Sequence, residues 1–384
     1  MTRSDKKAKK IVHIVGARPN FMKLAPLWRA ISADKELSQV VVHTGQHYTP
    51  IMSDTVFRDL DLPLPDVNLQ VESGNYLDQM AMIIERLVSV LPKIKPDLVL
   101  VYGDVNSTLA GALAAKRLGF PLAHVEAGLR SRDLEMPEER NRVLTDHIAD
   151  YHLITSIDAK ENLIAEGVSP KKIFMIGNLM VDSLYYAREK LAHSKPGEVA
   201  GGLIATKENF ALLTLHRPGN VDKKEQLVQL FDTLKEVSKK IPVVFPVHPR
   251  TTAVMKKFGV KGFGVPFRGT LGRSGIYLLP PLSYLDFMSL YQSAKFVLTD
   301  SGGVQEETSV LGVPCLTLRE NTERPVTVTH GTSTIVGSSR KAILGGVRAI
   351  MNGTYKKKRT IPFWDGHTGE RAVKTIKGIL GVRK

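Results

Sequence analysis

One pattern recurs along this chain of 384 residues: a short apolar run, a polar or glycine-rich turn, then a helix-forming stretch. Ile11–Val15 runs into Gly16-Ala17-Arg18-Pro19, and Val40–His43 into Thr44-Gly45-Gln46-His47. Leu98–Tyr102 ends at Gly103-Asp104, and Leu122–Val125 at Glu126-Ala127-Gly128-Leu129-Arg130. Tyr151–Thr155 and Ile173–Ile176 read as further strands. Strands that alternate with helices in this way form a parallel α/β sheet.

The pattern then restarts. Ala211–Leu215 ends at His216-Arg217-Pro218, Val243–Val247 at His248-Pro249-Arg250, and Ile276–Leu279 at Pro280-Pro281. Lys295–Thr299 precedes Asp300, Cys315–Leu318 ends at Arg319-Glu320, and Thr334–Val336 is a last short strand. The expected architecture is two doubly wound, Rossmann-like α/β domains, 1–178 and 179–365. The boundary falls near Gly177-Asn178, ahead of a helix Val181–Ala192 and a polar linker at Lys195-Pro196-Gly197. A final helix within 366–384, from Gly369 to about Leu380, is expected to pack back on the first domain. Ligands of such sheets bind outside the carboxyl ends of the strands, so the two rows of strand ends are expected to face each other across a cleft.

The formal net charge of +15 predicts attraction to anions. Part of it lies in lysine runs, Lys6, Lys7, Lys9 and Lys10 in front and Lys356, Lys357, Lys358 and Arg359 near the end. No aromatic-interleaved basic stripe accompanies them, so no nucleic-acid partner is expected. The single cysteine, Cys315, lies in an apolar run, reads as a buried thiol and cannot form an internal disulfide, which fits a reducing cytoplasm. Ile11–Val15 is too short for a signal peptide, and no segment approaches a membrane span. A soluble, cytoplasmic protein with no membrane partner is the expectation.

The polar turns carry the chemistry. Asp300-Ser301-Gly302-Gly303-Val304-Gln305-Glu306-Glu307 forms a strand-to-helix turn whose glycines allow close backbone approach. Free N–H groups at the helix start make it an anion site. Glu307, about one turn in, is placed to accept from sugar hydroxyls. A plain helix start, with Ser301 as N-cap and the glutamates complementing the dipole, explains the same residues. Arg18 and Lys23, in and just after the first turn, read as two cations fit to clamp a diphosphate or as two plain surface cations. Asp104 and Glu126 end strands, as acid–base groups or as turn carboxylates. Glu138, in Pro137-Glu138-Glu139-Arg140-Asn141-Arg142, is explained by the helix dipole alone. His216 and Arg217 end one strand, and His248 and Arg250 the next. Arg324, in Asn321-Thr322-Glu323-Arg324-Pro325, either reaches the ligand or balances Glu320 and Glu323. No clustered cysteines and no aspartates paired at ligand spacing suggest a metal. The first turn lacks G-x-G-x-x-G, and no G-x-S-x-G indicates a hydrolase triad.

Taken in order, Gly16-Ala17-Arg18-Pro19 with Lys23, Gly103-Asp104, His124 to Arg130, Pro137 to Arg142, His216-Arg217, Asp300 to Glu307 and Thr322 to Pro325 resemble the non-hydrolysing UDP-N-acetylglucosamine 2-epimerases. The resemblance is collinear from about Ile11 to Gly381. It implies a glycosyltransferase-B-like fold and an isomerase that reversibly inverts the sugar's second carbon, giving UDP-N-acetylmannosamine by elimination and re-addition of UDP. It implies Arg18, His216, Ser301, Gly302, Gly303, Glu307 and Arg324 as UDP-sugar contacts, with Glu307 on the ribose. It implies Lys23, Asp104, Glu126, Glu138 and His216 as the catalytic set, which promotes Glu138. Gln46, Arg217 and His248 match part of an activating second UDP-sugar site that some bacterial members carry. The chain departs from many members at Pro218-Gly219-Asn220, where they carry an acid after the His-Arg pair, and in a shorter segment from Arg130 to Pro137. The implied enzyme needs no cofactor and no metal, takes a UDP-sugar, serves polysaccharide biosynthesis and is a homodimer. Rival readings are a hydrolysing epimerase releasing N-acetylmannosamine and UDP, a UDP-sugar glycosyltransferase of the same fold, and a nucleic-acid binder. Relatives that act on 2,3-diacetamido uronic acids leave the exact sugar open.

Overall fold

The computed structural model describes residues 8–46, 50–71, 74–193, 210–260, 262–268 and 271–382. The expected linker at Lys195-Pro196-Gly197, His47, and the leading lysines Lys6 and Lys7 lie outside the described residues. The chain divides into two compact units, Met1–Tyr186 with Pro362–Lys384, and Ala187–Ile361.

The first unit holds β1 (Lys9–Val15), β2 (Leu37–His43), β3 (Val67–Asn68), β4 (Leu98–Tyr102), β5 (Leu122–Ala127), β6 (Tyr151–Ile154) and β7 (Ile173–Met175). They form a seven-stranded sheet in the order β3-β2-β1-β4-β5-β6-β7. β1 pairs in parallel with β2 (Val12↔Val40) and with β4 (Val12↔Val99). Val12, Ile14, Val99 and Val101 are buried against Ile83, Leu87 and Leu91, which recur every fourth residue and so share one face of the helix Tyr76–Ile94. Strands covered by helices on both faces need no polar alternation, which explains their unbroken apolar runs.

The second unit repeats the plan with β8 (Ala211–Thr214), β9 (Val243–Pro246), β10 (Val265–Pro266), β11 (Ile276–Leu279), β12 (Phe296–Thr299), β13 (Cys315–Thr317) and β14 (Ser333–Ile335). Its order is β10-β11-β9-β8-β12-β13-β14, and every pairing among the described residues is parallel. Leu227, Leu230, Phe231, Leu234 and Val237 bury one face of the helix Lys224–Ser238 on this sheet. Cys315 is buried, and burial pushes its thiol up. The edge strands β3 and β10 have two residues each, too few for any periodicity to show in the sequence.

The division between units falls at Tyr186, later than the 178/179 boundary read from the sequence, because the start of the helix Leu179–Ala192 is tied into the first unit. Pro26 sits inside the helix Arg18–Ser32 and cannot donate to the carbonyl of Met22 one turn back. The Ser183 hydroxyl donates to that carbonyl instead. Asp182 accepts the Gly369 N–H (2.8 Å) at the start of the helix Thr368–Ile379, which packs along Arg18–Ser32. Trp364 Nε1–H donates to the Thr155 carbonyl (3.0 Å), and Lys377 pairs with Asp34 (2.8 Å). Among the described residues no helix is long and apolar enough to cross a membrane.

Ser183→Ala should therefore leave the buried Met22 carbonyl unsatisfied and lower stability by about 1–3 kcal/mol in urea unfolding. In a Pro26→Ala background the restored N–H should absorb most of that loss. An equal cost in both backgrounds would show that Ser183 acts elsewhere.

Candidate functional site

In each unit the polar turns collect where the strand order reverses, between β1 and β4 and between β8 and β12, the places where ligands of open parallel sheets bind.

In the first unit Asn20 shapes the turn after β1. Its Oδ1 accepts the N–H groups of Gly16 (3.1 Å) and Ala17 (3.2 Å), and its Nδ2 donates to the Tyr102 carbonyl (2.9 Å) at the end of β4. Arg18 opens the helix, half-buried, and Lys23 lies one turn further in. Lys23 Nζ reaches Glu126 Oε1 at 2.8 Å, and both side chains are buried, at 6% and 3% exposure. Glu126 stands at a register break between Val125 and Ala127 and has φ of 69°, a left-handed conformation. Gly103 also has positive φ (62°), and a methyl group there would lie 3.0 Å from Lys23 Nζ.

Asp104, half-buried after Gly103, pairs with Arg142, which also pairs with Glu139. Glu139 in turn accepts the Ser131 N–H (3.0 Å), the Ser131 hydroxyl (2.9 Å) and the Arg132 N–H (2.8 Å). It clamps the loop before its own helix. Glu138, its neighbour, is half-buried close to Tyr76. Burial pushes the Tyr76 phenol up, against its hydrogen bond to Asn141, and the charge of Glu138 adds to the rise. Asn141 also donates to the Asp104 carbonyl (2.9 Å), so one helix holds the Asp104 turn by two side chains. Gln46 turns its amide oxygen onto the Ser107 N–H (3.0 Å) and hydroxyl (2.6 Å) and thereby caps the helix Asn106–Arg117.

Behind this row stands Asp146, fully buried. It meets His124 Nδ1 (2.7 Å), Arg130 Nη1 (2.7 Å) and the Gly128 N–H (3.0 Å). Arg130 also pairs with Glu166 (2.6 Å). Burial opposes ionisation of Asp146, but His124 and Arg130 outweigh it and hold the carboxyl below the usual range. The arginine of the His124–Arg130 stretch is thus committed to a structural pair.

In the second unit Asp300 ends β12 with no exposure. It accepts the N–H groups of His216 (3.0 Å) and Arg217 (2.9 Å), and its Oδ1 lies 3.0 Å from His216 Nδ1. Burial works against its charge, yet His216 and these donors lower its pKa. The His216 ring lies 5.6 Å from that of His248, whose Nδ1 accepts the Arg250 N–H (3.2 Å). Arg250 pairs with Asp222 at 2.7 Å.

Ser301 is the N-cap residue of the helix Gly302–Leu311, and its hydroxyl makes no capping bond. A methyl group on Gly302 would lie 2.5 Å from Arg324 Nη1, so any larger residue there would push the guanidinium off the helix start. Gly303 follows in the first turn. Arg324 pairs with Glu323 and, through Nε, with Glu306 at 2.8 Å. The expected partner Glu320 instead accepts the Ser338 N–H (3.3 Å). Glu307 is buried, with Oε1 accepting from the Tyr284 hydroxyl at 2.8 Å.

A family model described as UDP-N-acetylglucosamine 2-epimerase matches residues 29–377. The chain belongs to that family. The UDP-N-acetylglucosamine 2-epimerase of Methanocaldococcus jannaschii is 39% identical over 369 residues, covering 96% of this chain and 98% of the relative. The UDP-2,3-diacetamido-2,3-dideoxy-D-glucuronate 2-epimerase of Pseudomonas aeruginosa is also 39% identical, over 348 residues, covering 90% and 93%. The crystal structure of the M. jannaschii enzyme in complex with UDP-GlcNAc and UDP is similar with a TM-score of 0.86 at 38% identity, covering 96% of this chain and 99% of that one.

For this epimerase-family chain, sequence reasoning passed over Asp146, Arg142, Glu306, Tyr284 and the anchoring role of Asp300. Arg142 left a trace in its i,i+3 spacing from Glu139. Asp146 left none, because its partners lie a strand away. Asp146→Ala should leave Arg130 with Glu166 but strip the buried His124 Nδ1 and the Gly128 N–H of their acceptor, and cost about 1–3 kcal/mol in denaturant unfolding. Because the native carboxyl titrates below its unfolded value of about 3.9, its contribution is present above that pH and fades as pH falls through the lowered native value. The variant should accordingly show a flatter acid limb of stability than the wild type.

Proposed function

We propose that this chain interconverts UDP-N-acetylglucosamine and UDP-N-acetylmannosamine by inverting the sugar's second carbon. The observation that carries the reading is the pairing of family membership with two sets of polar side chains at the two strand-order reversals. In this reading the second unit's Ser301, Gly302, Gly303, Glu307 and Arg324 hold the nucleotide, with Glu307 on the ribose. Its partnership with Tyr284 supports that role, since a fixed carboxylate loses little freedom on binding. Arg18, Lys23 and His216 stabilise charge as the diphosphate departs, the electrostatic contribution that usually dominates.

Asp104, Glu126 and Glu138 supply proton transfer. The hydrogen on the second carbon is not acidic. A carboxylate removes it as the bond from the first carbon to UDP breaks, leaving a glycal, and a proton added to the other face with return of UDP gives the epimer. Each carboxylate is embedded beside polar partners: Glu126 with Lys23, Asp104 with Arg142, Glu138 near Tyr76. Gln46, Arg217 and His248 would form an activating second UDP-sugar site. Gln46 is already engaged on Ser107, which argues for a helix-capping share in its role. The enzyme so read is a cytoplasmic homodimer that supplies an activated sugar for polysaccharide synthesis.

Glu126→Gln and Glu138→Gln should each cut turnover by about 100-fold or more while leaving UDP affinity within about threefold by calorimetry. Wild-type turnover in either variant would remove that residue from the scheme. NMR of UDP-N-acetylglucosamine incubated with the protein in heavy water should show two interconverting UDP-sugars, with deuterium at the second carbon. Free N-acetylmannosamine would establish the hydrolysing reaction. An inert substrate, with turnover of a 2,3-diacetamido uronate instead, would move the specificity to that of the P. aeruginosa relative.

A further inference from the structure

At the reversal between β8 and β12 the ring of His216 rests on a carboxylate with no access to solvent. Asp300 Oδ1 lies 3.0 Å from His216 Nδ1, and the backbone N–H groups of His216 and Arg217 and the Asn220 side-chain amide (3.2 Å) converge on Oδ2. A carboxylate met by several donors acts as an acceptor, so the ring nitrogen facing it carries the proton. The His216 side chain is 35% exposed, so Nε2 is the atom turned away from Asp300. Among the described residues, His248, at the start of the helix Pro249–Lys257, lies beside the ring, and Arg217 is next in the chain.

We propose that Asp300 is a positioning residue that keeps the proton on His216 Nδ1 and so offers Nε2 to the reacting diphosphate. The inference rests on the reading of His216 given above. In the reacting form the ring carries a proton on each nitrogen, Nδ1–H donating to Asp300 and Nε2–H facing the diphosphate. The Nε2–H donates to the phosphate oxygen freed as the carbon–oxygen bond breaks, and the buried negative charge of Asp300 offsets the positive ring. The proton stays on Nε2, and no bond to the protein forms. Tying down the His216-Arg217 turn does not by itself call for a charge, because an asparagine carbonyl oxygen would accept the same backbone N–H groups. The second, ionised oxygen serves the ring.

Nitrogen-15 NMR of histidine-labelled wild-type protein tests this without substrate. His216 should carry a proton on Nδ1, and a ring protonated on Nε2 alone overturns the proposal. In Asp300→Asn the amide NH2 faces Nδ1, so the ring keeps an Nε2–H but stays neutral and loses the positive charge that meets the departing diphosphate. That variant should lose about 100-fold or more in kcat with KM for the UDP-sugar within about threefold. Asp300→Asn with wild-type kcat also overturns it. Asn220→Ala removes a donor to Asp300 and a bond to the Leu318 carbonyl (2.8 Å) but leaves the Nδ1 side intact, so its kcat should stay within about threefold. Equal losses in both variants would assign the effect to the turn and end the proposal. If Asp300→Asn does not fold, the wild-type ring spectrum decides. A protein that epimerises no UDP-sugar would defeat the functional reading, while the substrate-free spectrum would still judge Asp300 separately.

Discussion

Parallel pairing puts every strand's carboxyl end on the same edge of its sheet, and both units are built under that constraint. Where the strand order reverses, successive crossover helices pass to opposite faces, because the crossovers are right-handed. The turns there are not covered by a neighbouring helix. β1 and β4 meet this condition in the first unit, β8 and β12 in the second. Polar groups that the Val, Ile and Leu interior would exclude are tolerated at these turns. Asn20 and Asp104 gather at one, His216, Asp300 and Ser301 at the other.

Burying a carboxylate costs several kcal/mol unless donors replace its water. The protein meets that cost in three ways. Glu126 is met by the Lys23 ammonium. Asp146 is met by a ring, a guanidinium and a backbone N–H. Asp300 is met mainly by backbone N–H groups and one ring. The choice has consequences for motion. Donors from the backbone fix the chain itself, so Asp300 ties the His216-Arg217 turn to the end of β12.

The strands and their terminal polar residues were legible because each is a local signal: an apolar run, then a glycine or a charge. Gly103-Asp104 and Ser301-Gly302 announce themselves in a handful of letters. The partners that make these residues work were not legible. Arg142 reaches Asp104, Asp146 reaches His124, and Tyr284 reaches Glu307, each across a separation that only the folded sheet closes. The Ser183–Met22 bond was hidden for the same reason, although Pro26 itself marked a carbonyl that would need a donor. Arg324 was placed beside Glu323 by adjacency, but its second carboxylate, Glu306, comes from the neighbouring helix rather than from Glu320 nearby in sequence.

The backbone at Glu126 shows why local strain persists. In a regular strand Glu126 would point to the same face as His124, which meets Asp146 on the helix Pro137–Ile148. The extra residue between Val125 and Ala127 reverses that phase. Its carboxylate then meets Lys23, on the helix Arg18–Ser32. A non-glycine residue held at φ of 69° costs on the order of 1–3 kcal/mol. Relaxing the strand would recover that energy but return the carboxylate toward His124 and Asp146 and leave Lys23 buried without its partner, a larger loss. The bulge is therefore stable as long as the ion pair is, and the two must be altered together for either to change.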